Sequence, residues 1–256
     1  MTAPIINPKR NETSVLWRLL LSFTFLLLST TALYFFLHSP AFGIKEVVVE
    51  GNQSLGSAEI IRLSGVVPGT NIFLLDEEQI QGRLHLHSLL ETVKIERRLP
   101  NRLIIQVQER VPCLLLPVTD GFVVVDHQGV YLTRVGSIVE INRPVVTGCV
   151  VPPDVLPGQV IDVVILQQFL PVVDQMSFET VQSISEINLE SAERIKIYSL
   201  NGVEIKVGTI DHLVEHLDLL QQILTVELKQ LDQPIEYIDM SFKGSPVIKF
   251  AQGKTR

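Results

Sequence analysis

Cysteine is scarce in this 256-residue chain: Cys113 and Cys149 are its two thiols. Two thiols 36 residues apart do not define a disulfide framework. The spacing leaves open both a bond between them and two separate buried thiols. Basic charge is also short, with 21 Lys and Arg against 28 Asp and Glu, a net charge of −7. Nucleic acid needs a basic footprint, so that partner class is excluded. Electrostatic docking on anionic lipid is disfavoured for the same reason. The chain lacks a glycine-rich phosphate loop and a G-x-S-x-G nucleophile elbow. Nothing in it asks for a cofactor.

Formal charge is missing altogether between Arg18 and Lys45. Within that gap Leu19 to Leu37 reads LLLSFTFLLLSTTALYFFL. At about 1.5 Å per residue, such a helix spans roughly 30 Å, the hydrocarbon thickness of a bilayer. A helix apolar on every side has no place on a soluble domain. The run exceeds the apolar region of a secretory signal, and Ser39-Pro40-Ala41-Phe42 is a poor cleavage site. An uncleaved signal anchor is expected. Lys9, Arg10 and Arg18 precede the span, so the N-terminus is expected inside and the chain beyond about residue 38 outside. Trp17 and Tyr34 fall near the two interfaces. Setting aside residues 1–42, with three basic groups and one acid, leaves 18 basic against 27 acidic residues outside, a net of −9.

Beyond the span, Val47-Val48-Val49 closed by Gly51-Asn52 reads as a strand. Ser57 can cap a short helix, 58–63, ended by Gly65. Asp76 with Gln79 resembles a capping box for a helix over 77–88, with Ile80, Leu84 and His87 on one face. Val93, Ile95 and Arg97 then alternate with charged neighbours, Leu99-Pro100-Asn101 turns the chain, and Leu103, Ile105 and Val107 return. Proline presets φ for such a turn. The order is strand, helix, helix, strand, strand. With Val49-Glu50-Gly51-Asn52, Gly69-Thr70-Asn71-Ile72-Phe73 and the Val93–Asn101 hairpin, it resembles a POTRA domain over residues 43–111.

Residues 112–251 read as a second, mixed α/β sheet region. Phe122–Val125 is a buried strand, Asp126-His127-Gln128-Gly129 a turn capped by the Asp126 carboxylate, and Val130-Tyr131-Leu132 returns. A short strand lies at 144–148. Residues 160–176 have helical spacing, with Pro171 expected to kink or break it. Residues 181–189 and 194–198 read as strands. Asn201-Gly202 signals a type I′ hairpin. Residues 210–231 read as one amphipathic helix with Leu213, Leu217, Leu220, Leu224 and Leu228 as its stripe. Strands at 237–240 and 247–250 finish the region, before a tail of 252–256.

The tandem of an inner tail (1–18), an anchor (19–37), a POTRA-like domain and a sheet region resembles the bitopic FtsQ/DivIB cell division family. Val125-Asp126-His127-Gln128-Gly129, Pro144-Val145-Val146-Thr147-Gly148, Gly202–Gly208 and Tyr237-Ile238-Asp239-Met240-Ser241-Phe242 are similar to its motifs in order; Arg143 stands where that family's pattern has leucine. The resemblance implies an α+β fold and a non-enzymatic septum-formation scaffold in the cell membrane, at the division septum. It implies partners of the FtsB/DivIC and FtsL type, with septal wall synthases beyond them. It places partner contacts at Tyr237, Ser241, Lys243, Gly244 and Val247. The residues themselves add a basic hairpin at Arg97, Arg98 and Arg102 as a second candidate surface.

Two other function classes have some footing in the sequence. His212-Leu213-Val214-Glu215-His216 spells H-x-x-E-H, which on a helix could hold zinc in an anchored wall hydrolase. Only 40 residues follow His216, and the leucine stripe already explains the helix, so no metal site is expected. POTRA domains also serve transport and outer-membrane assembly, but there they come as tandem repeats with a barrel.

Overall fold

The computed structural model describes residues 12–228 and 234–251. Lys9, Arg10 and the tail 252–256 lie outside the described residues, as does the expected end of the 210–231 helix. Helix α1 runs Glu12–Leu37. From Leu16 to Leu37 it is long and apolar enough to cross a membrane, and its side chains from 16 to 36 are all exposed. The hydroxyls of Ser22, Thr24, Thr30 and Thr31 donate back to carbonyls of their own helix, at 2.8–3.0 Å.

The next elements are β1 (Glu46–Glu50), α2 (Ser57–Ser64), α3 (Glu77–His85), β2 (Leu90–Arg98) and β3 (Arg102–Glu109). This is the strand, helix, helix, strand, strand order expected of a POTRA domain. The sheet order is β1-β3-β2, with β1 parallel to β3 from Glu46↔Arg102 to Glu50↔Gln106. Ile44, Ile60, Ile72, Leu103 and Ile105 are buried. Asp76 Oδ1 accepts from Gln79 N at 3.0 Å, the forward half of the capping box. Two boundaries differ from expectation. Ser57 is the first helical residue, with Gly56 in the cap position, and α3 stops at His85, three residues early. Gly51 has φ +87°, and a Cβ there would overlap the Val107 carbonyl oxygen, so only glycine fits.

Contacts divide the chain into two compact units. One comprises residues 1–50, 55–81 and 94–106. The other comprises 51–54, 82–93 and 107–256.

In the second unit follow β4 (Leu114–Val118), β5 (Gly121–Val125), β6 (Tyr131–Val135), β7 (Val145–Thr147), α4 (Val164–Gln175), α5 (Phe178–Gln182), β8 (Ile184–Asn188), β9 (Ile195–Ser199), β10 (Glu204–Gly208), α6 (Ile210–Glu215), α7 (Leu217–Gln222), β11 (Ile235–Asp239) and β12 (Val247–Phe250). The strands form one nine-stranded sheet, β12-β11-β10-β9-β8-β7-β4-β5-β6. Phe169, Leu170, Val172, Leu213, Leu217 and Leu220 of the helices join Leu114, Leu116, Ile187, Ile197, Ile205 and Ile238 of the sheet in one core. A smaller cluster of Leu115, Val124, Val130, Leu132 and Val135 packs separately.

Several expectations are corrected here. Strand β4 was not anticipated, because Pro117 argues against a central strand. β7 pairs with β4 at Leu115 alone, so Pro117 lies past the ladder that its missing N–H would spoil. α4 starts at Val164 and passes through Pro171 unbroken. Pro171 faces solvent, where water can serve the unpaired carbonyl, while Phe169, Leu170, Val172 and Val173 hold the helix down. Val181 and Gln182, expected to open the strand over 181–189, instead end helix α5, because Ser177 Oγ caps that helix through Thr180 N at 3.1 Å. At Asn201-Gly202 only glycine has positive φ, so the turn is not type I′. Gly202 N donates to Ser199 O and Ser199 N to Val203 O, making a three-residue loop that ends on a left-handed glycine. Finally, the 210–231 helix is broken. His216 leaves helical geometry at φ −118°, ψ 23°, and a π-helical turn follows at Ile223–Glu227. The stripe survives, since Leu213, Leu217, Leu220 and Leu224 are buried, and the register slip buries Ile223 as well.

Asp126 organises the β5–β6 turn. Fully buried, it accepts from Gln128 N at 2.9 Å, Val130 N at 2.8 Å and Arg110 Nη1 at 2.6 Å. Removing one partner of such a buried pair leaves the other uncompensated. Asp126→Ala is expected to cost about 3–5 kcal/mol in urea denaturation. Cys113 and Cys149 are free thiols. Burial, aided by Asp174, pushes Cys113 up to about 12, and burial pushes Cys149 up to about 11. A raised thiol pKa means little thiolate at neutral pH. Neither thiol should therefore react with Ellman's reagent at about pH 8 until denaturant opens the second unit.

Candidate partner-docking edge

An open sheet has two edge strands, here β6 and β12. The β6 edge is partly occupied. Tyr131 N donates to Gln159 O at 2.8 Å and Gly158 N to Tyr131 O at 2.7 Å, so a loop lies along it. Among the described residues, β12 has a strand neighbour on one side alone. It pairs antiparallel with β11 through Tyr237↔Lys249, Ile238↔Ile248 and Asp239↔Val247. Ala251 N donates to Pro234 O at 2.8 Å. In an antiparallel ladder alternate residues face the partner strand. The N–H and C=O groups of Ile248 and Phe250 therefore point away from the sheet. Val247 and Phe250 are exposed, at 51% and 42%.

Local chemistry shapes this hairpin. Ile238 is buried and Ile248 half-buried against the core, which fixes the strands' inward face. Tyr237 lies on the opposite face. Lys206 Nζ sits 3.8 Å from its ring centroid and Lys249 Nζ 5.2 Å, an ammonium-on-ring arrangement from both neighbouring strands. Lys249 Nζ also meets Glu236 Oε1 at 2.9 Å, and this hydrogen bond pushes its pKa up. Glu204 does the same for Lys196, at 2.9 Å. Asp239 Oδ1 accepts from Ser241 N at 3.1 Å and Ser241 Oγ at 2.7 Å, which locks the end of β11. Lys243 and Gly244 are exposed in the connecting loop, Gly244 at φ +141°.

The structure thus brings Tyr237, Ser241, Lys243, Gly244 and Val247 together on one β11–loop–β12 hairpin. Arg97 and Arg98 belong to β2, in the other unit, and are engaged locally. Arg97 lies 2.7 Å from Glu77 and donates to Leu75 O at 2.9 Å, Arg98 lies 2.8 Å from Glu96, and Arg102 lies 2.7 Å from Glu46. Sequence reasoning missed Lys206 and Lys249 beside Tyr237, and the exposed rings of Phe242 and Phe250. Strand order, which brings Lys206 to Tyr237, has no local signal.

His212, Glu215 and His216 could offer three ligand atoms to a metal, all within 4.8 Å of one another. His212 Nε2 donates to Met240 O at 2.5 Å, so one ring nitrogen already ties α6 to the end of β11. The imidazole rings lie 4.4 Å apart.

Two family models match the chain in tandem. The POTRA domain, FtsQ-type, matches residues 42–110, and the cell division protein FtsQ/DivIB, C-terminal, matches residues 116–241. The cell division protein FtsQ of Syntrophotalea carbinolica is 28% identical over 222 residues, covering 85% of this chain and 77% of its own. DivIB of Clostridium botulinum is 27% identical over 219 residues, with 81% and 82% covered. DivIB of Clostridium tetani is 26% identical over 232 residues, with 88% and 86% covered. A solved structure, the major extracytoplasmic domain of DivIB from Geobacillus stearothermophilus, matches 49% of this chain and 90% of that one at 14% identity and a TM-score of 0.29, which adds nothing to the assignment. These relatives are named as division proteins and not as enzymes. With both domain models in the expected order over residues 42–241, the chain belongs to the FtsQ/DivIB family of cell division proteins.

Proposed function

We propose that this protein is a non-enzymatic scaffold of the division septum that binds other bitopic division proteins outside the membrane. Helix α1 anchors it with the N-terminus in the cytoplasm. The inner tail, the anchor, the POTRA domain over 43–111 and the sheet domain over 112–251 then follow in chain order. The partners are of the FtsB/DivIC and FtsL type, and through them the scaffold is linked to septal wall synthases. The observation that carries this reading is the open β12 edge. Outward backbone groups at Ile248 and Phe250 can accept another strand by main-chain hydrogen bonds, while Val247, Tyr237 and Lys243 supply side-chain contacts. Gly244-Ser245-Pro246 guards that edge, since proline next to an edge strand discourages indiscriminate pairing. The arginines of the β2–β3 hairpin have intramolecular carboxylate partners, which favours a solvated hairpin over a second docking surface.

Photocrosslinking in cells from a reporter at position 247 is expected to capture a membrane-anchored division protein; capture of none contradicts the reading. Phe250→Pro deletes an outward N–H that the sheet does not use. It is expected to weaken binding to the purified FtsB/DivIC-type partner by about tenfold or more, roughly 1.4 kcal/mol, with the thermal midpoint unchanged. Arg97→Glu with Arg98→Glu is expected to leave that affinity within about twofold.

A further inference from the structure

The end of α1 is fastened to the link between α2 and α3. A helix leaves its last carbonyls without intrahelical donors. Leu37 O, the final one of α1, accepts from Asn71 Nδ2 at 2.7 Å. The same side chain accepts through Oδ1 from Phe73 N at 2.9 Å and so caps the 3-10 turn Ile72–Leu74. Ile44 N donates to Thr70 O at 2.9 Å and Gly69 N to Ile44 O at 2.8 Å, which adds main-chain ties. Aromatic rings continue the connection. Phe36 lies 5.2 Å from Phe42, and Phe42 5.1 Å from Phe73, centroid to centroid.

This turn is apolar on its outside. Ile72 is buried, but Phe73 and Leu74 are exposed at 38% and 65%, with Val67 at 63%. Residues 63–75, LSGVVPGTNIFLL, carry no formal charge, and neither do residues 19–44. Two uncharged segments that are distant in sequence therefore meet where α1 ends. If Leu19 to Leu37 fills the roughly 30 Å hydrocarbon layer, Leu37 sits at its outer boundary, and Asn71 holds the turn at that depth. Aromatic side chains favour this interfacial layer, whereas large apolar groups on a tight turn gain nothing in water.

We infer that the Ile72–Leu74 turn, with Phe42, inserts Phe73 and Leu74 into the outer interfacial layer of the same bilayer that α1 spans. The occupant of the patch is lipid, argued from its continuity with the span and its lack of charge. The contact would hold this unit against the membrane at two points, the helix and the turn, and so limit its swivelling. The inference rests on α1 being a membrane span, and the experiment separates the two.

Trp17 is the sole tryptophan. In a Trp17→Phe background, full-length protein carrying Leu74→Trp, Phe73→Trp or Leu27→Trp is reconstituted alone into phosphatidylethanolamine–phosphatidylglycerol vesicles. Its emission is compared in unbrominated phospholipid and in phospholipid brominated near the headgroup end of the acyl chain for the turn variants, or near its methyl end for Leu27→Trp. Leu74→Trp and the more conservative Phe73→Trp are expected to lose about half or more of their emission in brominated lipid. Undiminished emission from both, with Leu27→Trp quenched, would overturn the inference and leave the span intact. Quenching of Leu74→Trp and Phe73→Trp that appears only after a partner protein is added would overturn it as well. An unquenched Leu27→Trp would remove the span itself, and the inference with it.

Discussion

A sheet that does not close must leave two rows of backbone N–H and C=O groups unmatched, and the account of this protein depends on how it treats them. At β6 the chain lays its own residues 158–160 along the exposed row. At β12 the row has no strand on it among the described residues, and the short strand is anchored inward by Ile248 and flanked by Gly244-Ser245-Pro246. The two edges of one sheet are handled differently, and the proposed docking of another chain rests on that difference.

The outer face beside that edge is ordered by charge. Lys196 with Glu204, Lys206 over Tyr237 and Lys249 with Glu236 run across successive strands. Exposed ion pairs contribute little individually to stability. Their effect here is geometric, since each lysine limits the rotamers of its neighbour and Tyr237 is gripped from both sides. A prearranged edge loses less side-chain freedom when a partner strand arrives. The Asp239–Ser241 bonds and the His212–Met240 bond act on the backbone in the same way, fixing where β11 ends and where the loop to β12 begins.

Much of this was readable beforehand because it is local. The uncharged run 19–37, the hairpin turn at Leu99-Pro100-Asn101 and the Asp126 cap each declare themselves within a few residues. The five positions Tyr237, Ser241, Lys243, Gly244 and Val247 come instead from the family resemblance, and the fold sets them on one hairpin. What could not be read depends on non-local pairing. Pro117 hides β4 because its harmlessness follows from where β7 stops. The leucine stripe of 210–231 hides the break at His216 because a register slip of the helix preserves the stripe. Arg97 and Arg102 have carboxylate partners, Glu77 and Glu46, that only the fold brings to them. Lys206 reaches Tyr237 only because β10 runs parallel to β11.

Backbone protection at the open edge tests the central claim most directly. Hydrogen exchange of the full-length protein in lipid nanodiscs, with and without the proposed FtsB/DivIC-type and FtsL-type partners, reads the amides of residues 247–250. The account predicts that the outward amides of Ile248 and Phe250 slow by about tenfold or more on binding, while those along β6 keep their rates. Binding that leaves 247–250 unchanged, or that protects another surface instead, would contradict it.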